Sequence, residues 1–568
     1  MSNALFAADL RLDEYVRDGR RVLRSSVPLP DRWPDILARL QYWAALTPDR
    51  LLLTEPSKPQ RRAISYGEAL QLSSALSTIL SKQCGVKVAD VIATLAPASI
   101  DALVLKLACL QAGLIHVALP PFPFRDGTLN HSNQPFFAMV RPHTIIAPAG
   151  HPAIEELGAL NLSELVGAAR AIRVPKTSAL ANAPSDFAAI FFTSGSTGER
   201  KAVPITRDMI SSNQTAIATF WPFVAAQPLV LVDWLPWHHV FGGLDNIFKV
   251  IWNGGTMHID APPSESSMAA TLQLLCAVGP TMHIAVPLGI KLLLNALEDN
   301  AEARQAFARN LQAIFFAGAG IDASLWHRLR RFSDACGTFE ILSGYGTTEA
   351  ASTICLSPAP IEQPGELGHP LPGHEIALAE TSDGLEIRVR GPNVAPGYLT
   401  DAGLVPLSLD EHGFYRTGDS ATLRTRRDGQ VVFAFDGRLA DDFKLASGIK
   451  VRTGWLRERL IAQCAPLAED IVVAGENRES LVALIFPTTA HAGDSGLIEK
   501  LSKALDAWNT SNPGSSTTIS RFALASVTPD RAQGEVSDKG QIVRSRFLRN
   551  HATLFDALYE GDGWPLAR

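Results

Sequence analysis

The chain has 568 residues, 46% of them hydrophobic and 19% charged, with a formal net charge of −6. A single core stops growing at roughly 250 to 300 residues, so several cores are expected. The mildly acidic balance leaves no basic footprint for nucleic acid and no polybasic anchor for a membrane, and Asp101 and Lys106 interrupt the most apolar region, 91–120, too early for a spanning helix.

The N-terminal MSNALFAADLRLDEYVRDGRR lacks the charged-then-apolar order of a signal peptide. Cys84, Cys109, Cys276, Cys336, Cys355 and Cys464 lie far apart without a CxxC pair, so they read as buried thiols of a cytoplasmic, reducing compartment. Trp33, Ile36, Leu37, Leu40 and Trp43 recur at helical spacing and predict an amphipathic helix over 34–48. Strands follow over 50–55 and 63–66, a helix over 67–83, a buried strand over 90–97, a helix over 99–113 and a strand over 114–120. Strand and helix alternate, which predicts an α/β fold with a parallel sheet. Residues 174–184 read as an exposed connection.

That connection leads into an apolar run, 187–192, and then Thr193-Ser194-Gly195-Ser196-Thr197-Gly198-Glu199-Arg200-Lys201. The two glycines let successive N–H groups turn into one concavity, the four hydroxyls add donors, and Lys201 adds a full positive charge, a composition suited to an anion cradle. A Ser/Gly surface linker is the competing reading, but linkers seldom join a buried-looking strand to a lysine and a second apolar stretch. The Gly-x-x-Gly-x-x-Lys interval does not fit the GxxxxGK[ST] phosphate loop of kinases and GTPases.

Further on stand Leu235-Pro236-x-x-His239-x-x-Gly242, with Val240 and Phe241 inside it. His239 among aromatics is open to two readings, a packed core histidine or a ligand-site residue. The strand 313–317 runs into Gly318-Ala319-Gly320, which serves equally as a tight turn or as a surface a flat ring could approach closely. Next come Ser343-Gly344-Tyr345-Gly346-Thr347-Thr348-Glu349, then GLEIRVRGPNVAPGYLT, read as a strand pair turning at Pro396-Gly397, then Tyr415-Arg416-Thr417-Gly418-Asp419. Residues 435–444 read FDGRLADDFK, with Arg438 and Lys444, and Gly448 follows. The last 120 or so residues predict a compact α+β unit, with strands over 470–474 and 481–486, helices over 498–508 and 544–558, and GEVSDKGQIV between them carrying Lys539.

Taken in order, these strings resemble the acyl-adenylate-forming superfamily of acyl-CoA synthetases, luciferases and nonribosomal adenylation domains. VDWLPWHHVFGG, FFAGAG, GPNVAPGY, DGRLADDFKLASG and GEVSDKG look most like bacterial feruloyl-CoA synthetases. The resemblance spans residues 43–544. It departs at Arg200, where the superfamily usually has proline, at Ala440, in the Lys444 to Gly448 spacing, and at Leu244, Asp245 and Asn246, where the acid pocket begins.

The resemblance implies a large N-terminal adenylating domain of α/β subdomains, 1–437, and a small mobile α+β domain, 438–568, pivoting about 436–441. It implies ATP, Mg²⁺ and coenzyme A, and a small aromatic acid as substrate. Thr193 to Gly198 and Lys201 would hold the phosphates; Gly318, Ala319, Gly320 and Gly344 to Thr347 would line the adenine side, with Tyr345 as a stacking face. Thr348 would reach the α-phosphate, Glu349 the metal, and Asp419 and Arg438 the ribose. His239, Val240, Phe241, Gly318, Ser343 and Gly344 would border the acid, Lys444 and Gly448 the CoA, and Lys539 the reacting carboxylate. A carrier-protein acceptor, or a nucleotide-binding regulator without turnover, are the alternatives on the same motifs.

Overall fold

The computed structural model describes residues 5–17, 20–57, 60–120, 134–172, 187–194, 200–321, 323–381, 384–489, 491–530, 533–536 and 541–566. An α/β layer organises the first half. Its sheet runs, in spatial order, Gly403–Pro406, Gly397–Thr400, Arg200–Ile205, Ala189–Ser194, Ile115–Ala118, Val91–Thr94, Thr144–Ala147 and Leu160–Asn161. The last five strands are mutually parallel and the first three join antiparallel.

Local chemistry sets the ends of the covering helices. Tyr66–Gln83 begins at a reciprocal capping box between Ser65 and Glu68. Ile100–Ala112 begins at Ser99, whose side chain accepts from the Ala102 amide, and stops at Gly113 in a left-handed conformation, φ 68°. All of Ile100–Ala112 except Asp101 is buried. Among the described residues no helix is long and apolar enough to cross a membrane.

A second sheet orders Leu12–Arg17, Arg20–Ser25, Glu375–Thr381, Gly384–Arg390, Tyr415–Thr425, Val431–Arg438, Glu366–Pro370, Ser352–Leu356, Glu340–Thr347, Ala313–Phe316 and Met282–Ala285. Contrary to the expected strand pair, Gly384–Arg390 and Gly397–Thr400 do not pair about a Pro396-Gly397 turn. The first lies in this sheet and the second in the α/β layer, because the segment between them crosses over. Asn393 anchors the crossing, its amide donating to the carbonyls of Ala350 and Thr353. A smaller sheet, Val230–Asp233, Thr256–Ile259, Leu51–Glu55 and Arg62–Ser65, carries the histidine-containing segment at the end of its first strand.

The C-terminal region has its own sheet, Ala468–Ala474, Leu481–Pro487, Ile519–Leu524 and Trp564–Pro565. Its core includes Leu456, Leu460, Ile471, Leu481, Leu501, Leu505 and Phe522. The single helix read over 544–558 is two, Arg544–Asn550 and Ala552–Glu560, divided at His551, whose backbone leaves the helical region at φ −119° and ψ 31°. Of the cysteines read as buried, Cys109, Cys355 and Cys464 are so, whereas Cys84, Cys276 and Cys336 are half-buried; all six are free thiols.

Candidate active site

Two paired strands flank the segment read as an anion cradle. Ala189–Ser194 pairs antiparallel with Arg200–Ile205, setting Thr193 opposite Lys201 and Ser194 opposite Arg200. Gly195, Ser196, Thr197 and Gly198 lie outside the described residues. Arg200 lays its guanidinium 4.8 Å from the ring centre of Phe136. Lys201 points its ammonium at a different ring, 4.8 Å from the centre of Tyr398.

Tyr398 lies in Gly397–Thr400, the strand hydrogen-bonded to the far side of the same hairpin. Its hydroxyl donates to Glu349 Oε1 at 2.8 Å and lies 3.4 Å from the hydroxyl of Tyr415. Burial and the Glu349 carboxylate push the Tyr398 phenol well up, so it remains a neutral donor. Lys201 and Glu349, far apart in sequence, thus meet on one side chain. Tyr398 was read from sequence only as part of a structural segment, because the GPNVAPGY string marks a bend and names no ligand contact.

Glu349 stands in the short 3₁₀ turn Thr348–Ala350, between Glu340–Thr347 and Ser352–Leu356. Glycine is a steric requirement just before it: a Cβ at Gly346 would lie 1.5 Å from the Ser352 carbonyl oxygen. Just after it, Ala351 and Ser352 both adopt positive φ, 48° and 93°. Non-glycine residues in that region cost on the order of 1 to 3 kcal/mol each and persist only where their surroundings fix them. The Ala395 amide donates to the Glu349 carbonyl at 2.7 Å, so the crossover segment braces this turn. Glu349 itself is 9% exposed.

Asp419 and Arg438 face each other across the ladder between Tyr415–Thr425 and Val431–Arg438. Arg438 Nε is 3.2 Å from Asp419 Oδ1, and the Tyr345 hydroxyl donates to Oδ2 at 2.7 Å. Burial, reinforced by Asp419, holds the Tyr345 phenol well above its ordinary range. An ionised carboxylate offers about four lone-pair positions, so Asp419 keeps acceptor capacity beyond these two contacts. The Tyr345 ring, read as a stacking face, is only 8% exposed.

Residues 235–243, read from sequence as bordering the acid, fold back on themselves. The His239 amide donates to Pro236 O, and the Gly243 amide to His239 O at 2.8 Å. A Cβ at Gly243 would meet the Trp237 carbonyl oxygen at 1.9 Å, and one at Gly242 the Leu235 carbonyl oxygen at 2.6 Å. The turn feeds a π-helical segment, Phe241–Asn246, a backbone form concentrated at functional sites. Phe241 packs edge-on to Phe315 with ring centres 6.0 Å apart, and a Cβ at Gly344 would lie 3.0 Å from the same Phe315 ring. His239 and Val240 are half-buried beside them, the His239 ring 4.3 Å from that of His238.

Ser343 is drawn away from this group. Its hydroxyl donates to the Glu366 carbonyl and its amide to Ser357 Oγ at 2.7 Å, which makes it a strand-bridging residue, 3% exposed. Behind Phe315 lies a buried charge pair that no sequence pattern marks. Lys249 Nζ is 2.7 Å from Asp245 Oδ2, both side chains buried, and 5.7 Å from the Phe315 ring centre.

Gly318 takes φ 82° and, with Ala319 and Gly320, leaves the Ala313–Phe316 strand as an open turn. Glu458, on helix Thr453–Gln463, comes so close that a Cβ at Gly320 would lie 2.9 Å from its Oε1. Lys444 and Gly448 belong to the hairpin Phe443–Lys444 and Lys450–Val451, where Gly448 takes φ 79° and Lys444 is exposed. Lys539 lies outside the described residues. Its flanks are held: Val536 bridges to Ile542, and buried Glu535 accepts from the Asp530 amide at 2.9 Å and from Asn550 Nδ2 at 2.8 Å.

Two family models match in succession, the AMP-binding enzyme over 40–399 and the AMP-binding enzyme C-terminal domain over 441–563. The chain belongs to the AMP-binding enzyme family. Among curated AMP-binding relatives, it is 31% identical over 191 residues to the chloroplastic long-chain-fatty-acid–acyl-carrier-protein ligase AEE15 of Arabidopsis thaliana, covering 31% of this chain and 26% of that one. It is 25% identical over 448 residues to the long-chain-fatty-acid–CoA ligase of Escherichia coli O157:H7, covering 69% and 76%. The chain spans from 26% to 42% of the length of AEE15, two atromentin synthetases and a carboxylic acid reductase that it also matches. The AMP-binding fold itself superposes on ATP-bound MatB from Rhodopseudomonas palustris with a TM-score of 0.71 at 20% identity, over 91% of this chain and 99% of that one.

Proposed function

We propose that the protein is an AMP-forming acid–thiol ligase that converts a small aromatic acid of the hydroxycinnamate type, such as ferulate, to its CoA thioester through an acyl adenylate. The observation that carries this reading is the convergence of Lys201 and Glu349 on Tyr398, which joins the cradle lysine to a buried carboxylate at one place. The choice of ferulate rests on the sequence resemblance alone.

In the first half-reaction an oxygen of the substrate carboxylate forms a bond to the α-phosphorus of ATP while the bond to pyrophosphate breaks. Negative charge gathers on non-bridging oxygens, so catalysis is mainly positioning and electrostatics. Lys201 and the 193–198 loop neutralise the outer phosphates, Thr348 reaches the α-phosphate, and Asp419, steered by Arg438 and Tyr345, accepts from the ribose hydroxyls. An ionised carboxylate is the hard oxygen donor that Mg²⁺ takes, so Glu349, its Oε1 held by the Tyr398 hydroxyl, would hold that ion. When bound, that ion would supply positive charge between the phosphates.

Lys539 serves the same half-reaction, and residues 438–568 turn about 436–441 to replace it with the Lys444 to Gly448 hairpin. In the second half-reaction the CoA thiolate forms a bond to the acyl carbon and AMP leaves. The test is an acid panel scored by CoA-dependent AMP release, with Lys539→Ala alongside. The variant should lose adenylation by ~10²-fold or more while still forming thioester from supplied acyl adenylate. Equal loss in both half-reactions would remove Lys539 from this role. The named carrier-protein ligase among the relatives favours a second reading, a protein-bound phosphopantetheine as acceptor. AMP release that needs a carrier protein and ignores CoA would establish it.

A further inference from the structure

We propose that Tyr398 is a positioning residue that sets the nucleotide site from two sides, its ring fixing the Lys201 ammonium and its hydroxyl fixing the Glu349 carboxylate. The inference rests on the reading of this site as the ATP site and goes further, because it gives one side chain with no nucleotide role assigned from sequence control over both the phosphate lysine and the metal-facing carboxylate.

The geometry gives Tyr398 two separable jobs. Its ring centre lies 4.8 Å from Lys201 Nζ, within cation–π range. Its hydroxyl donates to Glu349 Oε1 at 2.8 Å, a charge-assisted bond that orients one carboxylate oxygen. Tyr415 backs the hydroxyl at 3.4 Å, and the Ala395 amide holds the Glu349 main chain at 2.7 Å, so the phenol is steadied on both sides. The strand register explains why it reaches. Ala202 lies opposite Leu399, which puts Lys201 and Tyr398 on the same face of adjacent strands, on a diagonal. Without the ring, Lys201 is an exposed, flexible four-carbon chain that must be ordered each time a triphosphate binds. Without the hydroxyl, Glu349 loses the donor that orients Oε1, while the Tyr415 phenol still reaches its carboxylate.

Substitution separates the jobs. Tyr398→Phe keeps the ring and removes the hydroxyl; Tyr398→Leu removes both. Two measurements read them: ATP affinity by calorimetry with metal chelated, and the Mg²⁺ concentration giving half-maximal ATP–pyrophosphate exchange. Tyr398→Phe should bind metal-free ATP like wild type and need about tenfold more Mg²⁺, the scale of one hydrogen bond to a charged group. Tyr398→Leu should show the same Mg²⁺ shift and, in addition, about fivefold weaker metal-free ATP binding, the scale of a lost cation–π contact. Thermal unfolding of both variants, run in parallel, reports on the fold separately. Unchanged Mg²⁺ midpoints, or loss of activity that tracks only thermal stability, would overturn the inference and leave the proposed function standing. A wild-type protein that binds no ATP would overturn both.

Discussion

Lys106 is the residue whose surroundings least match its charge. It is 3% exposed on a helix buried on every side, with His116 Nδ1 at 3.5 Å and the Phe191 ring centre at 5.6 Å for company. Burial pulls it down from 10.5 to about 8 and pushes the neighbouring His116 well below its ordinary value. For a base whose folded value is depressed, the folded state holds fewer protons than the unfolded chain between the two values, so stability rises with pH across that window. The charge therefore costs most below about pH 8. Lys106→Met should stabilise the protein at pH 7 by up to about 3 kcal/mol, and the gain should shrink to nothing as the pH passes 10.5. Denaturant unfolding across pH 6 to 11, as an approximate range for bracketing both values, measures it; destabilisation at pH 7 would mean that the ammonium has a compensating partner. In the sequence this lysine served only to exclude a membrane span, since charge alone does not tell whether a side chain is solvated. By contrast Lys201, Glu349 and Asp419 were singled out from the sequence because their neighbours of fixed type and spacing make them parts of motifs. Ser343 is the complementary case: it sits inside a motif, and its hydroxyl is committed to Glu366 and Ser357.

At the scale of elements, the turn bearing Glu349 depends on glycine just before it and strained residues just after. Gly346→Ala would set a Cβ against the Ser352 carbonyl, where the opposing backbone itself, with Ser352 at φ 93°, has little room to give. It should cost more than about 3 kcal/mol, in the range of severe overpacking, and abolish nucleotide binding. Urea unfolding with and without ATP checks both effects, and a change under about 1 kcal/mol would show that the turn can relax. Helix ends in the N-terminal half were legible because Ser65, Ser99 and Gly113 are recognisable caps. The crossover of residues 391–397 was not, since a Pro-Gly pair marks a bend without saying which sheet receives the next strand. Tyr398 became visible only through that crossover, when the strand it belongs to paired with the cradle hairpin.

For the whole molecule, polar contacts among the described residues join the two regions. Arg452 pairs with Asp436, Lys291 Nζ stands 3.2 Å from Glu469, and Glu458 closes on the Gly320 turn. The Lys291 and Glu469 side chains are 39% and 50% exposed, so this pair contributes little and is easily exchanged for water. Gly454 lies against Gly437 so closely that a Cβ on it would be 3.3 Å from the Gly437 Cα, which brings backbone to backbone beside the proposed pivot. Such a joint suits the rotation proposed for residues 438–568. The central claim, that Lys201 and Glu349 grip the same triphosphate, is tested most directly by acid-dependent exchange of labelled pyrophosphate into ATP in wild type, Lys201→Ala, Glu349→Gln and the double variant. The account predicts exchange with at least one aromatic acid, losses of about 10²-fold in each single variant, and a double variant little worse than either. Exchange with no acid, or single losses that multiply fully in the double variant, would contradict it.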